Sequence, residues 1–138
     1  MIEAVSNKNL EEVLPLIRKY QEFYNISSIN DERNREFFSQ FSETGNDGCL
    51  FLYRNDKGEP VAFATVYFTF VSSIPGRVGV MNDLYTVPEY RGRGIGRNLI
   101  HHYLKFALSK SAVRLQWLTT RDNTPAQRLY DSLKTKKS

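Results

Sequence analysis

One cysteine, one tryptophan and two methionines are all that 138 residues hold of these types. The lone Cys49 excludes an intramolecular disulfide framework and any zinc site built on several cysteines. No apolar run approaches the roughly 18 residues of a membrane span. The opening residues, MIEAVSNKNLEE, lack the basic stretch and apolar core of a secretory signal. A cytoplasmic protein without a membrane partner is therefore expected. Repeats, low-complexity blocks and linker-like stretches are missing too, and 41% hydrophobic with 25% charged residues is ordinary globular composition. Length then points to one domain over 1–138, large enough to bury a core without staples. Charge is less scarce: the net value is +4, though the tail 134–138 holds three of the lysines. Mild basicity suits an anionic ligand or nucleic acid and does not separate them.

Local patterns give the order of elements. Residues 2–5 read as a short strand, and 8–24 carry Leu10, Val13, Leu14, Ile17, Tyr20 and Tyr24 at helical spacing. Pro15 inside that pattern predicts a kink or a separate first turn. Asp31 is a candidate cap for a second helix, DERNREFFSQF, ending before Gly45. Strands follow at 49–54, 61–71 and 78–87, the first two joined by the turn Asn55-Asp56-Lys57-Gly58. A helix over 95–108 and a strand over 113–119 come next, and strand–helix–strand implies a parallel pair with a right-handed crossover. Thr124-Pro125-Ala126-Gln127 opens a last helix, with Thr as N-cap, Pro at N1 and Gln at N3.

Arg91-Gly92-Arg93-Gly94-Ile95-Gly96 lies between a strand and an amphipathic helix. Glycines there permit unusual φ angles and close backbone approach. The helix start behind them offers free N–H groups and a positive dipole end to a phosphate, and Arg91, Arg93 and Arg97 add charge. In physical terms this is a pyrophosphate cradle; the bland alternative is a glycine-rich surface turn with solvated arginines. A P-loop is excluded because no Lys-Ser/Thr pair follows, and the spacing Gly-x-Gly-x-Gly does not fit a dinucleotide fingerprint.

The pattern [Arg/Gln]-x-x-Gly-x-[Gly/Ala] is met by residues 91–96 and is preceded by Leu84-Tyr85-Thr86-Val87-Pro88. With Asp122-Asn123-Thr124-Pro125-Ala126-Gln127-Arg128-Leu129-Tyr130 further on, it resembles the acetyl-CoA motif of the GNAT family of N-acetyltransferases. Good matches cover 78–133. The strand Asn82-Asp83-Leu84 and the helix end Tyr20-Gln21-Glu22-Phe23-Tyr24 are most similar to diamine and Hpa2-like histone acetyltransferases. The resemblance implies a single-domain α/β (α+β) fold whose mixed, mostly antiparallel sheet is flanked by helices. It implies that acetyl-CoA is the cosubstrate and that the acceptor is a primary amine of a small molecule or a protein lysine.

Residue by residue, the resemblance places acetyl-CoA along the main chain of Leu84, Tyr85 and Thr86. The pyrophosphate falls on Gly92, Arg93, Gly94, Ile95, Gly96 and Arg97, with Arg91 beside it. Asn123 touches the pantetheine arm and Tyr130 faces the sulfur. A strand N–H can stabilise the oxygen that gains charge as an amine attacks the thioester. A tyrosine, with a pKa of about 10, stays protonated at neutral pH and can donate to the departing thiolate. Direct transfer on these terms needs no enzyme nucleophile and no metal.

Single residues have competing readings. From spacing alone Tyr130 sits on an apolar stripe and reads as a core tyrosine. Asp83, Glu22 and Tyr24 are candidates for a cationic substrate, against the plainer reading of surface or hydrogen-bonding groups. His101 and His102 diverge by about 100° on a helix, share no metal, and are expected on the solvated side. Cys49 is expected to be buried; Tyr67, Phe68 and Phe70 read as ordinary strand packing. Phe37, Phe38 and Phe41 either line a substrate entrance or pack their helix down.

The family pattern continues after Tyr130 with a glycine-aromatic turn and two further strands, where this sequence has Lys134-Thr135-Lys136-Lys137-Ser138. The expectation is a C-terminally short sheet with an open edge, which a homodimer would cover. The rival function is a CoA-binding module with impaired catalysis and a regulatory role. A nucleic-acid partner is not expected, because no recognised motif or dense basic face is present.

Overall fold

The computed structural model describes residues 1–117. The order is β1 (Ile2–Ala4), α1 (Leu10–Phe23), α2 (Asp31–Phe38), β2 (Gly48–Arg54), β3 (Pro60–Val71) and β4 (Gly76–Thr86), then α3 (Ile95–Ser109) and β5 (Ala112–Trp117). A short 3-10 turn, Pro88–Tyr90, links β4 to the loop before α3. Strands β1 to β4 pair as an antiparallel meander, and β5 joins β4 in parallel after α3 crosses over. The mixed, mostly antiparallel sheet flanked by helices is the expected fold class. The helix expected from 124 lies outside the described residues.

Helix α1 buries Leu10, Val13, Leu14, Leu16 and Ile17 along one stripe. Pro15 stands inside it, yet the helix runs unbroken from Leu10 to Phe23, which corrects the expectation of a separate first turn. A proline forfeits one intrahelical bond, and the buried residues on both sides of it hold the segment in register. The second helix is capped one residue earlier than expected: Asn30 accepts from the Arg33 N–H at 2.9 Å. Asp31 instead pairs with Arg18 of α1 at 2.8 Å, and the helix stops at Phe38. In the β2–β3 turn, Asn55 Oδ1 accepts from the N–H groups of Lys57 and Glu59, both at 2.9 Å.

Residues 61–66 of β3 are buried on both faces because α1 covers one face and α3 the other. Phe51 packs edge-to-face on Phe106 of α3, while Phe63 packs on Tyr20 of α1. The half-buried His102 stacks on Phe51 at 4.5 Å, so it is not on the solvated side, and burial lowers its pKa. Phe70 corrects the expectation of strand packing, being 77% exposed near the far end of β3.

The feature that positions the site is a bulge in β4. Thr65 pairs with Asp83 and Val66 with Met81, so Asn82 is an extra residue. Side chains alternate faces along a strand, and one inserted residue reverses the alternation beyond it. A Cβ on Gly79 would lie 3.2 Å from Ala107 Cβ of α3. Asp83 and Tyr85, an even number of positions further on, meet Tyr20 of α1 instead. The extra residue turns them to the α1 face.

Candidate active site

Beyond β4 the chain makes the 3-10 turn, with Tyr90 N–H bonded to Val87 O at 3.0 Å, and enters the glycine loop. Gly92 and Gly94 have φ of 79° and 81°. Among the described residues a Cβ at either would meet nothing within 4 Å, so backbone conformation rather than crowding by them calls for glycine. Gly94 is the N-cap of α3, no side chain caps that end, and no acidic residue lies in the first turn. The N–H groups at the start of an α-helix have no intrahelical acceptor, and the dipole favours an anion there.

The three arginines differ. Arg91 Nε donates to Thr86 O at 2.8 Å, and its guanidinium lies over the rings of Phe23 and Tyr85. Arg93 donates to Glu89 O at 3.2 Å and lies 4.6 Å from the Tyr90 ring centroid. Arg97 is exposed on the first turn of α3. Leu84, Tyr85 and Thr86 pair with Ala64, Phe63 and Ala62 on the β3 side. The described pairing with β5 reaches Met81 and Trp117, where the described residues end. Asn123 and Tyr130 also lie outside the described residues.

On the α1 face of β4, Asp83 accepts three hydrogen bonds. Tyr20 donates to Oδ1 at 2.5 Å, while Thr65 at 2.5 Å and Asn82 at 3.0 Å donate to Oδ2. Among the described residues no basic side chain pairs with Asp83. Burial, then the bond to Asp83 and its charge, push the Tyr20 hydroxyl far above the ordinary tyrosine range. Burial and then the Asp83 charge push Tyr67 up to about 12. Tyr24, Phe63 and Tyr85 surround the Tyr20 ring at centroid distances of 4.9, 5.6 and 5.9 Å. Phe41 bridges Tyr67 and Phe37, which extends the aromatic wall to the α2 side.

Of the three substrate-side candidates, Asp83 and Tyr24 are thus brought together around Tyr20. Glu22 is not: it is exposed and faces Arg18 at 3.7 Å. Sequence reasoning did not assign Tyr20 or Thr65 to the site. Tyr20 was hidden on the apolar stripe of α1. The only signal for Thr65 was a hydroxyl among apolar neighbours in β3, and that residue is fully buried.

The family model "Acetyltransferase (GNAT) family" matches residues 13–134, spanning the glycine loop and the bulged strand. The chain belongs to the GNAT acetyltransferase family. It is an N-acetyltransferase. An uncharacterized N-acetyltransferase of Bacillus subtilis, YhfO, is 29% identical over 94% of this chain and 85% of its own length. The thialysine N-ε-acetyltransferase of Bos taurus is 32% identical over 96% of this chain and 82% of its own. The D-amino-acid N-acetyltransferase HPA3 of Saccharomyces cerevisiae is 25% identical over 94% and 81%. A crystal structure of a probable acetyltransferase superposes with a TM-score of 0.78 at 29% identity, covering 96% of this chain and 87% of that one. Members of the family generally take the acetyl group from acetyl-CoA. The donors here fit its pyrophosphate: N–H groups at the start of α3 that no described side chain caps, a glycine backbone that no described residue crowds, and flanking guanidinium groups.

Proposed function

We propose that this protein transfers the acetyl group of acetyl-CoA directly to the primary amine of a small molecule. One observation carries the reading. A single bulged strand, β4, leads into the glycine loop and the start of α3 and presents an aromatic-walled carboxylate, Asp83, on its α1 face. The glycine loop over 91–97 holds the pyrophosphate, and the main chain of Leu84, Tyr85 and Thr86 together with Asn123 orients the pantetheine arm. The amine nitrogen bonds to the acetyl carbon as the carbon–sulfur bond breaks. Tyr130 gives its proton to the departing sulfur, and the amine loses one to solvent. Asp83 and Tyr24 shape the acceptor side, with Asp83 acting chiefly through the hydroxyls it holds. A small-molecule acceptor is favoured because the named relatives include a thialysine and a D-amino-acid acetyltransferase.

The test is a thermal shift followed by turnover. Acetyl-CoA stabilises the native state by mass action if it binds there, and Gly94→Glu, which puts a carboxylate on the loop, is expected to abolish the shift. Release of CoA thiol across a panel of amino acids, thialysine, polyamines and basic peptides then identifies the acceptor. A Gly94→Glu variant that shifts like wild type moves the cofactor site elsewhere. Thiol release from the peptides alone overturns the small-molecule acceptor.

A further inference from the structure

The Arg91 guanidinium lies against a pair of rings from two different elements. Its Cζ is 5.6 Å from the Phe23 centroid and 5.7 Å from the Tyr85 centroid. Phe23 is the last residue of α1, and Tyr85 is a buried residue of β4. The bond from Nε to Thr86 O uses one of the five N–H donors of the guanidinium. Among the described residues the two Nη groups have no hydrogen-bond partner. Phe23 is itself 51% exposed, with its ring 5.2 Å from Tyr24 and 6.5 Å from Tyr85. Core packing therefore does not account for a large ring at this position, whereas its place against Arg91 does.

We propose that Phe23, far in sequence from the glycine motif, is a positioning residue for the cofactor site. Its ring holds the Arg91 guanidinium at the mouth of the loop, with the Nη donors free for a phosphate. The inference rests on the reading that the pyrophosphate of acetyl-CoA lies on residues 91–97. An arginine that grips a phosphate must give up its rotamer freedom, and a side chain already held by two rings and a carbonyl has less to lose on binding. The same end of α1 carries Tyr20, which bonds to Asp83, and Tyr24, whose ring packs on Tyr20, so one helix end meets both Arg91 and the proposed acceptor side.

Calorimetric titration of CoA into the full chain tests this without any acceptor. Phe23→Ala is expected to weaken binding about two- to fivefold, the worth of a partly exposed cation–π contact. Phe23→Tyr is expected to bind like wild type, and Phe23→Ala is expected to add no loss in an Arg91→Ala background. Melting temperatures check that each variant is folded. Wild-type affinity in Phe23→Ala, or an equal loss with and without Arg91, overturns the proposal. Gly94→Glu separates the two levels. If it binds CoA normally, the loop is not the cofactor site and both readings fall; if it abolishes binding while Phe23→Ala is silent, this inference alone fails.

Discussion

The Tyr20 hydroxyl donates to Asp83 Oδ1 at 2.5 Å, although the two residues are 63 positions apart. That bond ties the last turns of α1 to the strand segment just beyond the bulge. Because Thr65 and Asn82 occupy the other oxygen, the carboxylate is held among the described residues by three donors rather than by a cation. Tyr20→Phe keeps the ring among Tyr24, Phe63 and Tyr85 and removes one donor. A half-buried acceptor left without its partner costs about 1–3 kcal/mol. Urea unfolding is expected to show that loss, and a variant as stable as wild type would mean that water replaces the hydroxyl at no cost.

The glycine loop gives a contrast between two chemically identical substitutions. Gly94 has φ of 81°, so Gly94→Ala forces a Cβ into the left-handed region even though no described residue crowds it. The expected cost is about 1–2 kcal/mol. Gly96 lies inside α3 without positive φ, and an added Cβ would sit 3.8 Å from Leu84 Cδ2, ordinary contact. Gly96→Ala is expected to stabilise by about 0.5–1 kcal/mol through helix propensity. Melting curves of the two variants should therefore move in opposite directions, and a shared direction would remove backbone conformation as the reason for Gly94.

The legible part of this molecule was its local part. Helical spacing located α1 and α3, the run of Val, Phe, Tyr and Thr located β3, and the spacing of glycines and arginines located the loop, because each signal lies within a few consecutive residues. The bulge was not legible. Asn82 adds a residue without any composition cue, yet it decides which face Asp83 and Tyr85 occupy. The Tyr20–Asp83–Thr65 cluster joins α1, β3 and β4, and no local pattern carries a contact between three elements. Asn30 and Asp31 are both competent helix caps, and the pairing of Asp31 with Arg18 on another helix accompanies the choice of Asn30.

Alkaline stability should respond to the buried Cys49 and the half-buried Tyr67, alongside Tyr20, whose hydroxyl is pushed higher still. Burial pushes the Cys49 thiol up to about 12, and burial with the Asp83 charge pushes Tyr67 up to about 12. In the unfolded chain these groups ionise near their ordinary values of about 8.5 and 10. The folded state therefore binds their protons more tightly, and stability is lost as pH rises from about 9 toward 12. Unfolding free energy measured between pH 8 and 11 is expected to fall, with a shallower early slope in Cys49→Ala. In Tyr67→Phe the slope above pH 10 should be shallower instead, with Tyr20 still contributing to it. A wild-type profile that is level up to pH 11 would show that neither group is protected by the fold.

Tyr130 distinguishes chemistry from packing. As the proposed acid, it protonates the sulfur that leaves when the amine takes the acetyl group. Tyr130→Phe removes the hydroxyl and leaves the ring, so CoA binding is expected to persist while turnover drops by about 10²–10⁴, the usual contribution of a positioned acid. A tyrosine that only packs a helix would instead lose about 1 kcal/mol of stability with little change in rate. The measurement is kcat at saturating acetyl-CoA with the best acceptor from the amine panel, alongside a melting curve. Full turnover in Tyr130→Phe would return that residue to the core and leave the proton for the thiolate to another donor or to solvent.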